Sequence, residues 1–132
     1  MPDNPCIVVI DDDQSVQEGV LNLLRSSGFE AIAFASAEEF LSSDALKRAA
    51  CLVVDVQMPG MGGIGLQNHL ATTNRNIPII FITAHPSDAV SKKALQSGAI
   101  AFLVKPFSEA DFINGIQTAL KFSDPDHDRP LR

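Results

Sequence analysis

The sequence predicts an α/β fold in which five parallel strands form one doubly wound sheet with helices on both faces. Short apolar runs rich in β-branched and aromatic residues occur five times along the chain, and each is followed by a segment with helical periodicity. The runs are continuous rather than alternating, as expected for strands that are covered on both faces. Strands that alternate with helices in this way form a parallel sheet through right-handed crossovers, which gives a three-layer sandwich.

The strand candidates are short and evenly distributed along the chain. They are Cys6–Ile10, Ala31–Phe34, Cys51–Val54, Ile79–Thr83 and Ala101–Val104. The second candidate has the weakest strand propensity, because alanine is a poor strand former.

Five helical patterns follow these strands in order. The first is Val16–Ser26. The second begins at the capping box Ser36–Glu39 and continues through Phe40 and Leu41. The others are a weaker pattern at Gly65–Thr72, then Asp88–Ser97 and a last helix that starts after Ser108. Ser87 and Ser108 are predicted N-cap residues, whereas Gly28 and Gly98 follow helices at positions that favour a left-handed C-cap. In the last helix the apolar residues share one face.

Composition indicates one globular domain. The chain has 132 residues, of which 45% are hydrophobic and 20% are charged, and a chain of this length can bury a core without disulfides or metals. Cys6 and Cys51 open apolar runs and have no metal-ligand spacing. We expect the domain to span residues 5–122. Residues 123–132, SDPDHDRPLR, lack apolar periodicity and are expected to form a tail or the start of an interdomain linker.

Charge and hydropathy exclude some classes of partner. The formal net charge is -6, and without a basic stripe we expect no direct binding of nucleic acid by this domain. The sequence contains no signal peptide and no apolar stretch long enough to cross a bilayer, so we expect a cytoplasmic protein without membrane contact.

Polar side chains occur at the carboxyl ends of four predicted strands. They are Asp11-Asp12-Asp13 after the first strand, Asp55 after the third, Thr83 at the end of the fourth and Lys105 after the fifth. Each alone has an ordinary explanation: a strand-end acid is often a turn former or helix cap, and Asp13 in particular fits that role. Because parallel strands have their carboxyl ends at one edge of the sheet, we expect the whole set to converge into a site.

The residue types at this edge predict phosphoryl chemistry. Carboxylates held close together repel one another and do not all stay ionised without a counter-charge. A divalent ion such as Mg²⁺ supplies that charge, because it binds carboxylate, water and phosphate oxygens. Lys105 adds a positive charge and Thr83 a hydroxyl for an anionic oxygen. These groups match the needs of phosphoryl transfer to a carboxylate, with Asp55 as the nucleophile that forms an acyl phosphate.

Four segments resemble the receiver domain of two-component response regulators. They are IVVIDDD, LVVDVQMPGMGG, IPIIFITAH and GAIAFLVKPF, and the similarity covers about residues 5–121. PGMGG, IIFITAH and FLVKPF are most similar to receivers of the FixJ/NarL-type transcription regulators. The resemblance implies a CheY-like, flavodoxin-like (βα)5 fold.

The resemblance also implies roles for the acidic edge. Asp55 matches the phosphoacceptor. Asp11 and Asp12 match the acid pair that binds Mg²⁺, with Asp55 and the backbone carbonyl of Gln57 as the other protein ligands.

A second group matches the residues that bind the phosphoryl group and respond to it. Lys105 matches the lysine that binds a phosphoryl oxygen, and the peptide bond between Lys105 and Pro106 is expected to be cis. Thr83 matches the hydroxyl that swings toward the phosphoryl group, and Phe102 matches the aromatic switch that turns inward when the threonine moves. The alternative for Phe102 is a permanently buried core aromatic.

Two positions that vary within the family are Gln57 and His85, two residues beyond Asp55 and Thr83. They lie where side chains meet the hydrolytic water, so we expect them to set the rate of dephosphorylation. The alternative for His85 is an ordinary loop residue.

Family members receive the phosphoryl group from a sensor histidine kinase or a phosphotransfer protein. Phosphorylation then alters the surface of the fourth helix, fifth strand and fifth helix, and the resemblance implies that a homodimer can form through this surface. The resemblance thus implies a bacterial signalling protein that regulates transcription. It also implies a phosphoacceptor that catalyses its own phosphorylation and dephosphorylation, and not an enzyme with a separate substrate.

Three other classes of protein share parts of this pattern. A phosphatase of the haloacid dehalogenase type also uses an aspartate nucleophile, but carries an acid two residues later, where this chain has Gln57. A receiver-like docking module that is never phosphorylated would not need the complete set of acids, threonine and lysine. A dinucleotide-binding domain is disfavoured because no GxGxxG follows the first strand.

Overall fold

The computed structural model describes residues 6–58 and 60–123, without the side chain of Ser123. The strands are β1 (Cys6–Ile10), β2 (Glu30–Phe34), β3 (Ala49–Asp55), β4 (Ile79–Thr83) and β5 (Ala101–Val104). The helices are α1 (Gln14–Ser26), α2 (Ala37–Leu41), α3 (Ala45–Arg48), α4 (Gly62–Thr72), α5 (Asp88–Gln96) and α6 (Glu109–Ser123). The predicted tail at 123–132 lies outside the described residues, apart from Ser123 at the end of α6.

The five strands form one parallel sheet in the order β2-β1-β3-β4-β5. This order places β1 and β3 side by side at the centre, with Ile10 opposite Val54. The residues that follow these two positions, Asp11 and Asp55, therefore emerge next to each other at one edge. The predicted α/β class and parallel sheet are confirmed.

Two apolar layers cover the sheet. On one face, alternate strand residues such as Val8, Leu52 and Phe81 pack against α2, α3, α4 and α5. On the other face, residues such as Val9 and Ile80 pack against α1 and α6. The continuous apolar runs of the sequence are explained by this burial on both faces.

The second predicted helix is divided in two, so the predicted count of five helices is wrong for the described residues. Ser43 marks the break, because its hydroxyl donates to the carbonyl of Phe40 at 2.7 Å and accepts from the amide of Ala45 at 3.2 Å. The side chain thereby completes the end of α2 and starts the single turn of α3. The fourth and fifth predicted helices correspond to α5 and α6.

The third predicted helix starts earlier than expected. The glycines of MGG are expected from the sequence to keep the chain out of helix before Gly65, yet α4 starts at Gly62. Gly63 lies against the sheet, where a Cβ atom would be 2.9 Å from the Cα of Val56 and 2.9 Å from the ring of Phe81. The glycine is therefore required for the close approach of α4 to β3, and not for breaking the helix.

Gly63→Ala should destabilise the domain, although alanine is the better helix former. The added methyl group meets the backbone of Val56, which cannot rotate away, and overpacking of this kind costs about 1–3 kcal/mol. Gly19→Ala in α1 is the matched control, since apart from its chain neighbours and the backbone of its own helix no atom lies within 4 Å of the point that its methyl group would occupy, and it should stabilise by about 0.5–1 kcal/mol. Urea unfolding gives both free energies of unfolding. A Gly63→Ala variant as stable as the parent would contradict the close-approach argument.

None of the helices in the two described ranges has both the length and the apolar character that a bilayer span requires.

Candidate functional site

Three carboxylates meet at the carboxyl edge of the sheet. Asp11, Asp12 and Asp55 each offer an oxygen atom, and these oxygens lie within 4.8 Å of one another. Asp11 is fully buried, Asp55 is partly buried and Asp12 is exposed. The cluster arises because β1 and β3 are neighbours and end at the same level. The convergence that the sequence predicts for these three acids is thus observed.

Lys105 contributes the positive charge of the site. Its Nζ atom donates to Asp11 Oδ2 at 3.3 Å and lies 3.9 Å from Asp55 Oδ2. The lysine follows β5, and its backbone amide donates to the carbonyl of Thr83 at 2.7 Å, which fixes the start of the loop. The peptide bond between Lys105 and Pro106 is cis, which is the isomer that the resemblance implies.

Asp55 is held in a defined orientation by its own loop. Its Oδ1 atom accepts the backbone N–H of Gln57 at 2.9 Å. Burial raises the pKa of the Asp55 carboxyl above its usual range, and the negative charges of Asp11 and Asp12 act in the same direction. The Gln57 amide and the Lys105 ammonium oppose this rise in pKa. A cation placed among these carboxylates would therefore favour the ionised, nucleophilic form of Asp55.

Asp13 does not join the cluster. Its Oδ1 atom accepts the backbone amide of Ser15 at 2.9 Å, the hydroxyl of Ser15 at 2.7 Å and the amide of Val16 at 3.4 Å, which makes Asp13 the N-cap of α1. The Ser15 hydroxyl contributes most to lowering the pKa of the Asp13 carboxyl. The ordinary explanation considered for this acid, a helix cap, is confirmed.

Thr83 ends β4 beside the acidic cluster and is fully buried. Its hydroxyl oxygen accepts the backbone N–H of His85 at 3.0 Å. His85 itself is exposed, as is Gln57. Both positions that are expected to affect dephosphorylation therefore present side chains to solvent at the rim of the site.

Phe102 lies on β5 opposite Phe81 of β4. The two rings have centroids 6.3 Å apart and are tilted by 51°. Phe102 is only partly buried, so in this state it is not a fully enclosed core aromatic. Phe102 lies on the same face of the sheet as Val104, which is the register partner of Thr83. A movement of Thr83 would therefore disturb the layer of side chains that contains Phe102.

Two further residues support the site but have no signal in the sequence. Gln17 of α1 donates from Nε2 to the carbonyl of Asp11 at 2.6 Å and to that of Phe34 at 3.3 Å. Glu38 of α2 accepts the amide of Met61 at 3.1 Å, which anchors the loop after Asp55. Gln17 and Glu38 are polar residues in helices. From the sequence, the helical period predicts only that such residues lie on the outer face, and not which groups they bind.

The donor set fits a hard divalent cation. All three clustered ligands are carboxylates, which Mg²⁺ and Ca²⁺ prefer. Among the residues that the structure describes, no sulfur or imidazole ligand accompanies them in the cluster. Asp12 and Asp55 leave the site open to solvent on one side, as needed for water and phosphate oxygens to complete the coordination. Lys105 neutralises only part of the negative charge.

Comparisons with known proteins identify relatives of this chain. A family model described as "Response regulator receiver domain" matches residues 7–117. The response regulator protein TmoT of Ectopseudomonas mendocina is 42% identical over 117 residues, which are 89% of this chain and 53% of TmoT. The chain spans about half the length of the curated relatives it matches.

Solved structures give the same result. The response regulator StyR has a TM-score of 0.84 at 45% identity, over 92% of this chain and 61% of StyR. The receiver portion of FixJ, FixJ-N, has a TM-score of 0.82 at 31% identity, over 99% of this chain and 100% of that structure. Similarity to FixJ-N agrees with the FixJ-like character of the motifs. The chain therefore belongs to the family of response regulator receiver domains.

Proposed function

We propose that this receiver accepts a phosphoryl group on Asp55 from the phosphohistidine of a sensor histidine kinase or of a phosphotransfer protein, with Mg²⁺ as cofactor. The observation that carries the proposal is the meeting of three carboxylates with one ammonium group, Nζ of Lys105, at 3.3 Å from Asp11 and 3.9 Å from Asp55. The domain is a phosphoacceptor that catalyses its own phosphorylation and dephosphorylation, and it does not act on a separate substrate.

In the proposed reaction a carboxylate oxygen of Asp55 attacks the phosphorus atom. An O–P bond forms as the P–N bond breaks, and the histidine nitrogen leaves with the bonding electron pair and takes up a proton. The Gln57 amide holds one Asp55 oxygen, so the other is directed toward the donor. Lys105 stabilises the negative charge of the phosphoryl oxygens by its proximity to Asp55.

Asp11, Asp12, Asp55 and the carbonyl of Gln57 would hold the metal. When bound, Mg²⁺ supplies positive charge that orients the phosphoryl oxygens and neutralises part of their negative charge. The buried Asp11 carboxylate is fixed by the amide of Asp13 at 2.9 Å and by Lys105. It is therefore the most preorganised of the three acidic ligands.

The output of phosphorylation is proposed to pass from Thr83 to Phe102 and then to the surface of α5, β5 and α6. The acyl phosphate adds charge and acceptors beside Thr83, so its hydroxyl turns from the His85 amide to a phosphoryl oxygen. Phe102 then moves into the vacated space. The altered surface would form a homodimer or bind an output domain, as in transcription regulation.

Gln57 and His85 are proposed to set the lifetime of the acyl phosphate. Both side chains are exposed, so they can contact a water that approaches the phosphorylated Asp55. Exchanging the two residues, as Gln57→His with His85→Gln, should change the rate constant of dephosphorylation measured by phosphate release. An unchanged rate constant would contradict this role.

Incubation with acetyl phosphate and Mg²⁺ tests the central proposal. Intact-mass measurement should detect one phosphoryl adduct on the parent domain and none on Asp55→Asn, because asparagine cannot form the acyl phosphate. Omission of Mg²⁺ should also abolish the adduct. A parent domain that forms no adduct would indicate a docking module, and an adduct retained by Asp55→Asn would place the acceptor elsewhere. Turnover of p-nitrophenyl phosphate would instead support a phosphatase.

A further inference from the structure

The peptide group that joins Asp11 to Asp12 is held by a side chain of α1. The backbone amide of Gln17 donates to the carbonyl of Asp13, the N-cap residue, at 3.0 Å, so Gln17 belongs to the first turn of the helix. Its half-buried side chain extends to the ends of β1 and β2, where Nε2 donates to the carbonyl of Asp11 at 2.6 Å and to that of Phe34 at 3.3 Å. A side-chain amide nitrogen carries two hydrogen atoms, so both donors of Gln17 are used.

The backbone of Asp11 is thereby fixed on both sides. Its N–H donates to the carbonyl of Phe34 at 3.1 Å, and its C=O accepts from Gln17. Its carboxylate accepts the amide of Asp13 at 2.9 Å and the ammonium group of Lys105 at 3.3 Å. Because both flanking peptide groups and the side chain are held, Asp11 has little freedom to move relative to the sheet.

Asp12 has no comparable support of its own. Its side chain is exposed, and in residues 6–58 and 60–123 no hydrogen bond or ion pair holds its carboxylate. The position of this carboxylate therefore depends on the backbone that leads into it, which is the peptide group whose carbonyl Gln17 binds. A rotation of that peptide group would move the Asp12 side chain relative to that of Asp11.

We propose that Gln17 is a positioning residue that makes the acidic site selective for Mg²⁺ over the larger Ca²⁺. Mg²⁺ demands near-octahedral geometry with oxygens at about 2.0–2.1 Å, whereas Ca²⁺ accepts oxygens at about 2.3–2.6 Å in a more flexible arrangement. Two acids with a fixed spacing can meet the stricter demand of Mg²⁺. Acids that are free to move apart would bind Ca²⁺ nearly as well as before and Mg²⁺ less well.

This role rests on the proposed function in one respect, since it takes the carboxylate cluster to be a metal site. It does not depend on phosphoryl transfer, because Gln17 acts on the ion only through the backbone between the two acids. Groups that orient metal ligands in this way commonly change metal affinity by roughly 10–100-fold when they are removed. The selectivity between two ions of equal charge separates positioning from electrostatic attraction.

Gln17→Met tests the two donors. Methionine keeps the unbranched form of the side chain but has no N–H. Affinities come from ¹⁵N NMR titrations of the whole chain with MgCl₂ and, separately, with CaCl₂. We expect the Mg²⁺ affinity to fall by roughly tenfold, the lower end of the losses for outer-shell partners, and the Ca²⁺ affinity to fall by less. The dispersion of the same spectra shows whether the variant is folded.

Gln14→Met is the matched control. It is the same substitution in the same turn of α1, but Gln14 is exposed and its Nε2 atom donates to Glu18 Oε2 at 3.1 Å instead of to the strand ends. Both metal affinities of this variant should match those of the parent chain.

The ratio of the Ca²⁺ to the Mg²⁺ dissociation constant decides between the outcomes. The parent chain should bind Mg²⁺ more tightly, and a parent that prefers Ca²⁺ would overturn the proposal without any variant. An equal ratio in Gln17→Met and the parent would also overturn it, even if both affinities fell, because only a general weakening of the site would then remain. A parent that binds neither ion would refute the proposed metal cofactor as well. If the parent binds Mg²⁺ and only the ratio test fails, the proposed phosphoacceptor function is unaffected.

Discussion

A Thr83→Ala variant is expected to accept the phosphoryl group as fully as the parent domain but to lose the response of the α5, β5 and α6 surface. The hydroxyl of Thr83 accepts the His85 amide at 3.0 Å and does not contact the acidic cluster through any hydrogen bond of the described residues. It is therefore not needed to hold Asp55 or the proposed metal. Its removal should leave the mass adduct intact.

The loss of response has a steric and an electrostatic cause. On phosphorylation, a charge-assisted bond to a phosphoryl oxygen would replace the neutral bond from His85 to Thr83. That exchange is what would draw Thr83 from the layer that contains Phe102. Alanine has no hydroxyl that could bind the phosphoryl oxygen. Phosphorylation of Asp55 would therefore no longer shift the side-chain layer around Phe102 from one conformation to the other.

Association state and NMR shifts measure the response. The parent domain with acetyl phosphate and Mg²⁺ should show altered amide shifts in α5, β5 and α6, together with dimer formation by light scattering if that surface self-associates. Thr83→Ala should give neither change, and Thr83→Ser, which keeps the hydroxyl, should retain both. A phosphorylated Thr83→Ala domain with the full parental response would contradict the proposed coupling.

The site can be predicted because its residues follow from the topology of the sheet. In a parallel sheet the carboxyl ends share an edge, so locating four short strands is enough to bring Asp11, Asp55, Thr83 and Lys105 together. Their separation in sequence is no obstacle, because a buried strand is recognisable from a run of a few apolar residues. Topology alone does not choose among the three acids after β1: the resemblance to receiver domains selects Asp11 and Asp12, and the N-cap role of Asp13 is established by its hydrogen bonds.

Features that depend on tertiary contacts cannot be predicted in the same way. The sequence favours a helix-breaking role for Gly63, whereas its small size allows α4 to approach Val56. The supporting roles of Gln17 and Glu38 depend on which backbone groups face them across a helix–loop interface. Local sequence carries propensity, but not the partner on the other side of a contact.

The three consecutive acids after β1 allow a test of the metal site with three single variants, in each of which one aspartate is replaced by asparagine. Asp11→Asn should abolish phosphorylation by acetyl phosphate under conditions where the parent is modified, and should weaken Mg²⁺ binding by roughly tenfold or more, the order of loss seen even for outer-shell partners of metal ligands. Asp11 is buried, fixed by the Asp13 amide and paired with Lys105. Asparagine would keep an oxygen ligand there but remove the charge that attracts the cation.

Asp12→Asn should also weaken Mg²⁺ binding, but by less, since its side chain is exposed and solvent screens its charge. Asp13→Asn is the control. Asparagine caps helices as well as aspartate does, and Asp13 lies outside the carboxylate cluster, so its metal affinity should match that of the parent. Because Mg²⁺ binds the folded domain, its affinity follows from the rise of the unfolding temperature with metal concentration. Equal losses at all three positions would mean that net charge alone attracts the ion. A loss confined to Asp11 and Asp12 would mean that the ion is held by the particular oxygens that the sheet brings together.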